Sequence, residues 1–310
     1  MSAPASRPIL IAGPTASGKS AFALAIADRV GGVIINADSM QVYAELRILT
    51  ARPSHVDEQR VPHRLYGHVS VLEPYSVARW LEDVEGVLAE VQAQGLRPII
   101  VGGTGLYFKA LTEGLSPLPH IPPDVRHRWR ARAQTAPPGG LHDELHQRDP
   151  VMAVRLAPGD TQRITRALEV FDGTGKSLAH WQVIRGTPLV PLEASVKLLV
   201  DRSRQELNAR ADGRFDAMIA EGAIDEVRAV LSLDPPKDAP ALRALGLQQL
   251  ADMLAGRISI EAAAVLSRIA TRQYIKRQQT WLKRHMIAWN IVILCDNCDF
   301  IGTNMHNIDL

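Results

Sequence analysis

The run Ile9-Leu10-Ile11-Ala12-Gly13-Pro14-Thr15-Ala16-Ser17-Gly18-Lys19-Ser20 decides the fold class. Its first four residues have the apolar, β-branched character of a buried strand, and residues 20–29 read as the helix that follows. Between them, Gly13 through Ser20 satisfies the phosphate-loop pattern G-x-x-x-x-G-K-[ST], in the strand-to-helix context that gives the pattern its meaning. The glycines let the backbone wrap so that successive N–H groups point at phosphate oxygens, and the helix N-terminus adds a favourable dipole. Lys19 supplies a point charge, and the Ser20 hydroxyl can hold Mg²⁺. The plainer alternative is a tight turn with no ligand.

Outward from that loop, strand-like and helix-like segments alternate, which predicts a parallel sheet flanked by helices. Gly32–Asn36 reads as a second strand, residues 77–94 as an amphipathic helix stopped by Gly95, residues 98–101 as another buried strand, and Val196–Asp201 as a further one. Pro117, Pro119, Pro122 and Pro123 mark a boundary, and the following stretch, rich in Arg, His and Ala, reads as short helices. The expected organisation is a phosphate-loop NTPase-like α/β core from residues 1–116 and 194–310, with a helical insertion domain at 117–193. Residues 204–284 are mostly helical by pattern.

Composition agrees with that class. At roughly 150 residues per domain, 310 residues make about two domains, or one with a large insertion. The 46% hydrophobic and 22% charged content excludes a largely disordered chain, and a net charge of +2 demands neither nucleic acid nor membrane. Cys295 and Cys298 both fall near the C-terminus, which excludes a disulfide framework, and with His306 they supply too few ligands for a complete zinc site. The N-terminal apolar run is too short for a signal peptide or a membrane span, so a cytoplasmic protein with no membrane association is expected.

A phosphate loop does not say what is done to the phosphate. Motor ATPases, GTPase switches and many kinases anchor Mg²⁺ on an Asp after an apolar strand. Here the strand at 98–101 runs into Gly102-Gly103-Thr104, without an acid. Asp38, after Ile34-Ile35-Asn36-Ala37, reads as the only carboxylate closing a strong strand. Both strands should end on the ligand side, which brings Asp38 and Thr104 to the phosphate site. The alternatives are a helix N-cap or turn for Asp38 and a plain turn for Thr104.

Five segments together resemble the tRNA dimethylallyltransferases (tRNA isopentenyltransferases): residues 13–20, 36–43, 101–111, 160–170 and 271–284. The resemblance implies transfer of a dimethylallyl group from dimethylallyl diphosphate to N6 of the adenosine 3′-adjacent to the anticodon, with Mg²⁺ and a tRNA anticodon stem-loop as partners. It implies Lys19, Thr104 and Arg214 on the departing diphosphate and Asp38 as the base that takes the N6 proton. It also implies tRNA contacts from Asp38, Ser39, Met40 and Gln41, from Thr104 and Arg126, from Gln162, Arg163, Ile164, Thr165 and Arg166, and from a late basic helix. We expect that helix to use Arg272, Lys276, Arg277 and Trp281, in a protein that acts as a monomer.

The late helix also has a reading of its own. Residues 267–286 carry six Arg or Lys residues, no acid, and Tyr274 and Trp281 seven apart. Basic side chains with interleaved aromatics suit RNA. The competing reading is a solvated cationic face whose aromatics lie in the core. Two departures from the family pattern stand out: residues 45–53 read Glu-Leu-Arg-Ile-Leu-Thr-Ala-Arg-Pro, and Gly246-Leu247-Gln248 lacks the family's ring and cation. Two rival functions are a phosphate-loop small-molecule kinase, which needs ATP turnover, and an RNA-binding protein switched by a nucleotide.

Overall fold

The computed structural model describes residues 7–294. Among these, the strands are β1 (Ile9–Ala12), β2 (Gly32–Asn36), β3 (His63–Arg64), β4 (Arg97–Gly102), β5 (Val196–Asp201) and β6 (Asn290–Ile293). The helices are α1 (Lys19–Val30), α2 (His55–Arg60), α3 (Val77–Ala93), α4 (Gly105–Glu113), α5 (Pro123–Thr135), α6 (Gly140–Arg148), α7 (Pro150–Ala153), α8 (Thr161–Thr174), α9 (Leu178–Gln182), α10 (Arg204–Ala220), α11 (Ala223–Ser232), α12 (Leu247–Leu254) and α13 (Ile260–His285). All the strand pairings are parallel, in the order β3-β2-β4-β1-β5-β6. The sequence reading had missed the short edge strands β3 and β6.

Alternation along each strand builds two cores. Leu10, Ala12, Val33, Ile35 and Ile100 face Trp80 and Val84 of α3, Phe108 and Leu111 of α4, and Leu282 of α13. Ile9, Ile11, Ile34, Ile99 and Val101 face Phe22, Ala23 and Ile26 of α1. Covered on both faces, the central strands are apolar at every position of β1 and nearly so elsewhere, as parallel strands must be. The chain leaves β1 for β2 on one side, while β5 flanks β1 on the other. The loop after β1 therefore sits at a switch point of the sheet, where such folds bind ligands.

The described residues divide into two compact units, one of residues 113–188 and one of the segments on either side of it. The boundaries fall a few residues before the expected 117 and 193, because the divide comes at the end of α4 and not at the proline cluster. The second unit is α5 through α9 around Ile121, Trp129, Leu145, Ile164 and Leu168. In it, the largely buried Asp172 accepts from Trp129 Nε1 at 2.9 Å and from Arg128 and Arg148, both at 2.7 Å.

Candidate active site

The phosphate loop is fastened at its start by the Gly13 N–H, which donates to Gly102 O at 3.3 Å. It then turns through left-handed backbone at Ala16 (φ 66°) and Gly18 (φ 92°). That conformation is open to glycine at no steric penalty, and a non-glycine residue holding it stores strain at the loop. α1 starts at once with no side-chain cap on its first amides, so the amides of its first turn are left for a ligand. The Ser17 hydroxyl is fully buried there and makes no hydrogen bond.

The outside of the loop is bound by arginines. Arg202 Nε donates to Ser17 O and Arg210 Nε to Ala16 O, each at 3.1 Å, and an Arg214 Nη donates to the Thr15 hydroxyl. Arg214 was expected here, and its environment is not that of a solvated helix charge: burial holds its pKa below the usual arginine range, with Asp38 opposing the shift. Arg202 and Arg210 were missed. The available signal was the four-residue spacing of Arg210 and Arg214, which puts both on one face of α10.

Asn36, fully buried at the end of β2, shapes the acid's backbone. Its side chain accepts from Asp38 N at 2.8 Å and donates to Asp38 O and Leu65 O, both at 3.0 Å. Asp38 Oδ1 in turn accepts from Met40 N at 2.9 Å. Across from it, Thr104 Oγ1 accepts from Ser39 N at 3.0 Å and donates to Ser39 Oγ at 3.3 Å. The structure thus brings Asp38 and Thr104 together beside the loop. Ser39 and Met40 are half-buried, and Gln41 is occupied internally, its amide donating to Thr50 O and Ala51 O at 2.9 Å each.

Burial lowers the Lys19 pKa to about 8, with Asp38 pulling it up and Arg214 pushing it further down. The Lys19 ammonium donates to Pro14 O at 3.3 Å. Burial also raises the phenols of Tyr66, Tyr107 and Tyr274, and the Asp38 carboxylate adds to each shift. One carboxylate, two cations and three neutral phenols therefore share a poorly solvated field. Such a setting suits charge transfer between groups the protein holds in place.

Asp201, at the end of β5, corrects the reading of Asp38 as the only strand-closing carboxylate. Its Oδ1 accepts from Arg202 N at 2.9 Å and Gln279 Nε2 at 3.0 Å, so it ties the end of β5 to α13. For a metal, no group of three or more His, Cys, Asp or Glu side chains gathers among the described residues. The Ser20 hydroxyl is exposed at the first turn of α1. A single hydroxyl suits a hard cation that keeps several waters and is otherwise held by phosphate oxygens, so the donor set fits an ion arriving with a diphosphate.

The late helix, α13, is less cationic than its own sequence suggested. Arg268 pairs with Asp216 and Arg272 with Asp212, both acids contributed by α10. Lys276 and Arg277 are exposed, Arg277 lying over the Tyr274 ring at 5.7 Å. Trp281 stacks on His285 at 4.2 Å, packs against the main core and closes over Gly105, where a Cβ would lie 2.2 Å from its ring carbons. Its partners inside the protein replace the open stacking platform expected for it.

Other expected contacts also shift. Ile164 and Thr165 are 0% and 7% exposed, turned into the second unit's core by helical periodicity, which leaves Gln162, Arg163 and Arg166 of that segment at the surface. Arg163 pairs with Asp160 and Arg166 with Glu169. Arg126 is half-buried, with an Nε that finds no partner. Leu247 lies in the core, and Gln248 donates to Asp252. Cys295, Cys298 and His306 lie outside the described residues.

Within residues 45–53, where the family pattern is broken, the backbone forms an anchored loop. The Glu226 carboxylate accepts the N–H groups of Arg47, Ile48 and Leu49 at 2.7–2.8 Å. A cavity of about 380 Å³ lies between this loop and Arg214, Ala217 and Met218 of α10. Another of about 290 Å³ is bordered by Ser20, Arg52 and Tyr66. No described helix is long and apolar enough to cross a membrane.

Fold and site define a phosphate-loop α/β protein whose loop faces a carboxylate and a threonine on neighbouring strand ends. Residues 41–285 match the IPP transferase family model, and residues 7–71 match that of isopentenyl transferase. The chain belongs to the IPP transferase family. It is 52% identical over 278 residues to a tRNA dimethylallyltransferase of Agrobacterium fabrum, covering 90% of this chain and 93% of that one. It is 50% identical to the enzyme of that name from Parvibaculum lavamentivorans, covering 93% and 91%. Among solved structures it resembles the tRNA isopentenylpyrophosphate transferase of Bacillus halodurans (30% identity, TM-score 0.64, covering 93% and 89%). It also resembles a eukaryotic dimethylallyltransferase acting on tRNA (25% identity, TM-score 0.78, covering 93% and 74%).

Proposed function

We propose that this chain transfers a dimethylallyl group from dimethylallyl diphosphate to N6 of the adenosine 3′-adjacent to the tRNA anticodon, releasing diphosphate. That it is a transferase that prenylates tRNA follows from its family. The observation that carries the finer reading is the meeting of Lys19, Arg214 and the uncapped start of α1 with Asp38 and Thr104. Cations and amides suit the charge that grows on a departing diphosphate, and a facing carboxylate suits the nucleophile's proton.

In this reading the allylic C–O bond breaks with its electron pair going to the diphosphate oxygen. The Thr104 hydroxyl donates to that oxygen, while Lys19, Arg214 and the loop amides hold the remaining phosphate oxygens. The adenine N6 forms the new C–N bond and gives its proton to Asp38. The target base must leave its stack to reach the site. A divalent cation, which we take as Mg²⁺ on Ser20, would neutralise part of the diphosphate charge. Side chains of Arg126, Gln162, Arg163, Arg166, Lys276 and Arg277, with the 38–41 segment, would contact the anticodon stem-loop. We place the protein in the cytoplasm as a monomer.

The test is incubation with a labelled allylic diphosphate and bulk tRNA, followed by nucleoside analysis. Label on a modified adenosine is the expected result. ATP hydrolysis or phosphate transfer to a small molecule, with unlabelled tRNA, would move the chain to the kinase reading.

A further inference from the structure

Gln278, on the inner face of α13, ties the two halves of the site together. Its side chain is buried with the residue 6% exposed. Oε1 accepts the backbone N–H of Thr15 in the phosphate loop at 2.9 Å. Nε2 donates to the carbonyl of Gly103 at the end of β4, also at 2.9 Å. Each contact falls on a residue adjoining a group assigned to the diphosphate. Thr15 carries the hydroxyl that Arg214 binds, and Gly103 immediately precedes Thr104. The approach is close enough that a Cβ on Gly103 would lie 2.5 Å from Nε2 and 3.4 Å from Asp38 Oδ2. The next residue, Gln279, reaches the end of β5 through Asp201.

We propose that Gln278 is a positioning residue for the transfer step, setting the spacing between the phosphate loop and the Thr104 strand end. The inference rests on the reading of that site as the diphosphate site. A side chain serves both partners only if one atom accepts from an N–H while another donates to a carbonyl, as the two ends of an amide do. A hydrocarbon of similar size leaves both buried backbone groups unmatched, and an ionised carboxylate keeps the Thr15 bond but opposes the Gly103 carbonyl. Neither change touches the reacting atoms. Misplacement by about an ångström is enough to slow a positioned reaction by as much as ~10²-fold.

The experiment compares Gln278→Leu and Gln278→Glu with wild type in single-turnover prenyl transfer from pH 5.5 to 8.5, with tRNA binding and thermal melting measured alongside. A protonated glutamic acid has the donor–acceptor arrangement of glutamine, so its variant regains function as pH falls. The expected result is a rate lowered about 10–100-fold in Gln278→Leu, and a ratio of Gln278→Glu to wild type that rises toward acidic pH. Taking the ratio cancels the titration of shared groups that do not meet residue 278. Tyr274, whose hydroxyl is hydrogen-bonded to the Gln278 side chain, stays neutral in this range because burial raises its phenol. Should the leucine variant fail to fold, the glutamate ratio alone decides the matter. Gln278→Leu at the wild-type rate, or a Gln278→Glu defect equal at every pH, would overturn the proposal. A wild-type protein without transfer activity would overturn instead the reading of the site on which it rests.

Discussion

The Ser39 N–H donates to the Thr104 hydroxyl at 3.0 Å, joining the loop after β2 to the end of β4 by one side chain. Ser39 directly follows Asp38, so this bond sets where the carboxylate stands relative to the threonine. Asn36 fixes the same segment from beneath by holding both the N–H and the carbonyl of Asp38. The acid and the hydroxyl therefore share one hydrogen-bonded frame. A base and a leaving-group donor that act on opposite ends of one bond-exchange step need that shared frame.

Asp38→Asn should keep this frame, because an asparagine Oδ1 still accepts from Met40 N. Binding of tRNA and of the allylic diphosphate should stay within a few-fold of wild type. The single-turnover rate should fall roughly 10²–10⁴-fold, the usual range for a lost general base. A rate near wild type would remove Asp38 from the proton transfer and leave its place to another group.

Lys19 gives a pH dependence whose two consequences have opposite signs. Its pKa is lowered from 10.5 to about 8, chiefly by burial. If the ammonium holds the donor diphosphate as proposed, kcat/KM for the donor should fall as pH rises past about 8. Lys19→Arg should lack that limb, since guanidinium stays charged. Stability runs the other way. The unfolded chain holds the Lys19 proton more tightly than the folded one, so the penalty of burying the ammonium is in place below about 8 and is relieved as pH climbs toward 10.5. Lys19→Met should therefore melt higher than wild type at pH 7, with the gap narrowing above pH 8. A donor kcat/KM flat through pH 9 in wild type would contradict the assignment.

Legibility in the sequence followed locality. The β1–loop–α1 unit and the strand ends carrying Asp38 and Thr104 were readable because each is a short segment whose chemistry lies within a few residues. Gln278 was not, since its partner Thr15 is 263 positions away and nothing in the local pattern marks a glutamine as a brace. The same limit misread α13. A run without acids looks uniformly cationic along the chain, but Asp212 and Asp216 reach it from α10. Burial of Ile164 and Thr165 follows from helical periodicity, which a family resemblance does not contain position by position. Edge strands as short as His63–Arg64 have too few residues to show a period.

Those ion pairs sharpen the expectation for RNA binding. Lys276→Gln and Arg277→Gln should each weaken tRNA binding and shrink the log–log salt slope by about 0.7–0.9 if each side chain meets a phosphate. Arg272→Gln should change the slope less, because its guanidinium already faces Asp212. Affinity for the allylic diphosphate should not change in any of the three. Titrations at several salt concentrations measure both quantities. If the Lys276→Gln, Arg277→Gln double variant kept the wild-type slope, α13 would be a solvated surface and the phosphate contacts would have to come from the second unit.

Trp281 decides between a stacking role and a packing role. Its ring is held between His285 and the Gly105 backbone and contacts the main core, which leaves little of its face to offer a base. Truncating a buried aromatic to alanine removes about 3–5 kcal/mol, and a half-buried ring belongs at the lower end of that range. Trp281→Ala should therefore depress the melting midpoint clearly. Well below that midpoint it should leave tRNA affinity within about threefold, less than the ~1–3 kcal/mol expected of a lost base–aromatic stack. Gly105→Ala should reproduce the melting defect with the tryptophan still present, because the added methyl group collides with the ring. The two variants together separate packing from recognition. An unchanged midpoint with tenfold weaker tRNA binding in Trp281→Ala would return the ring to the RNA surface.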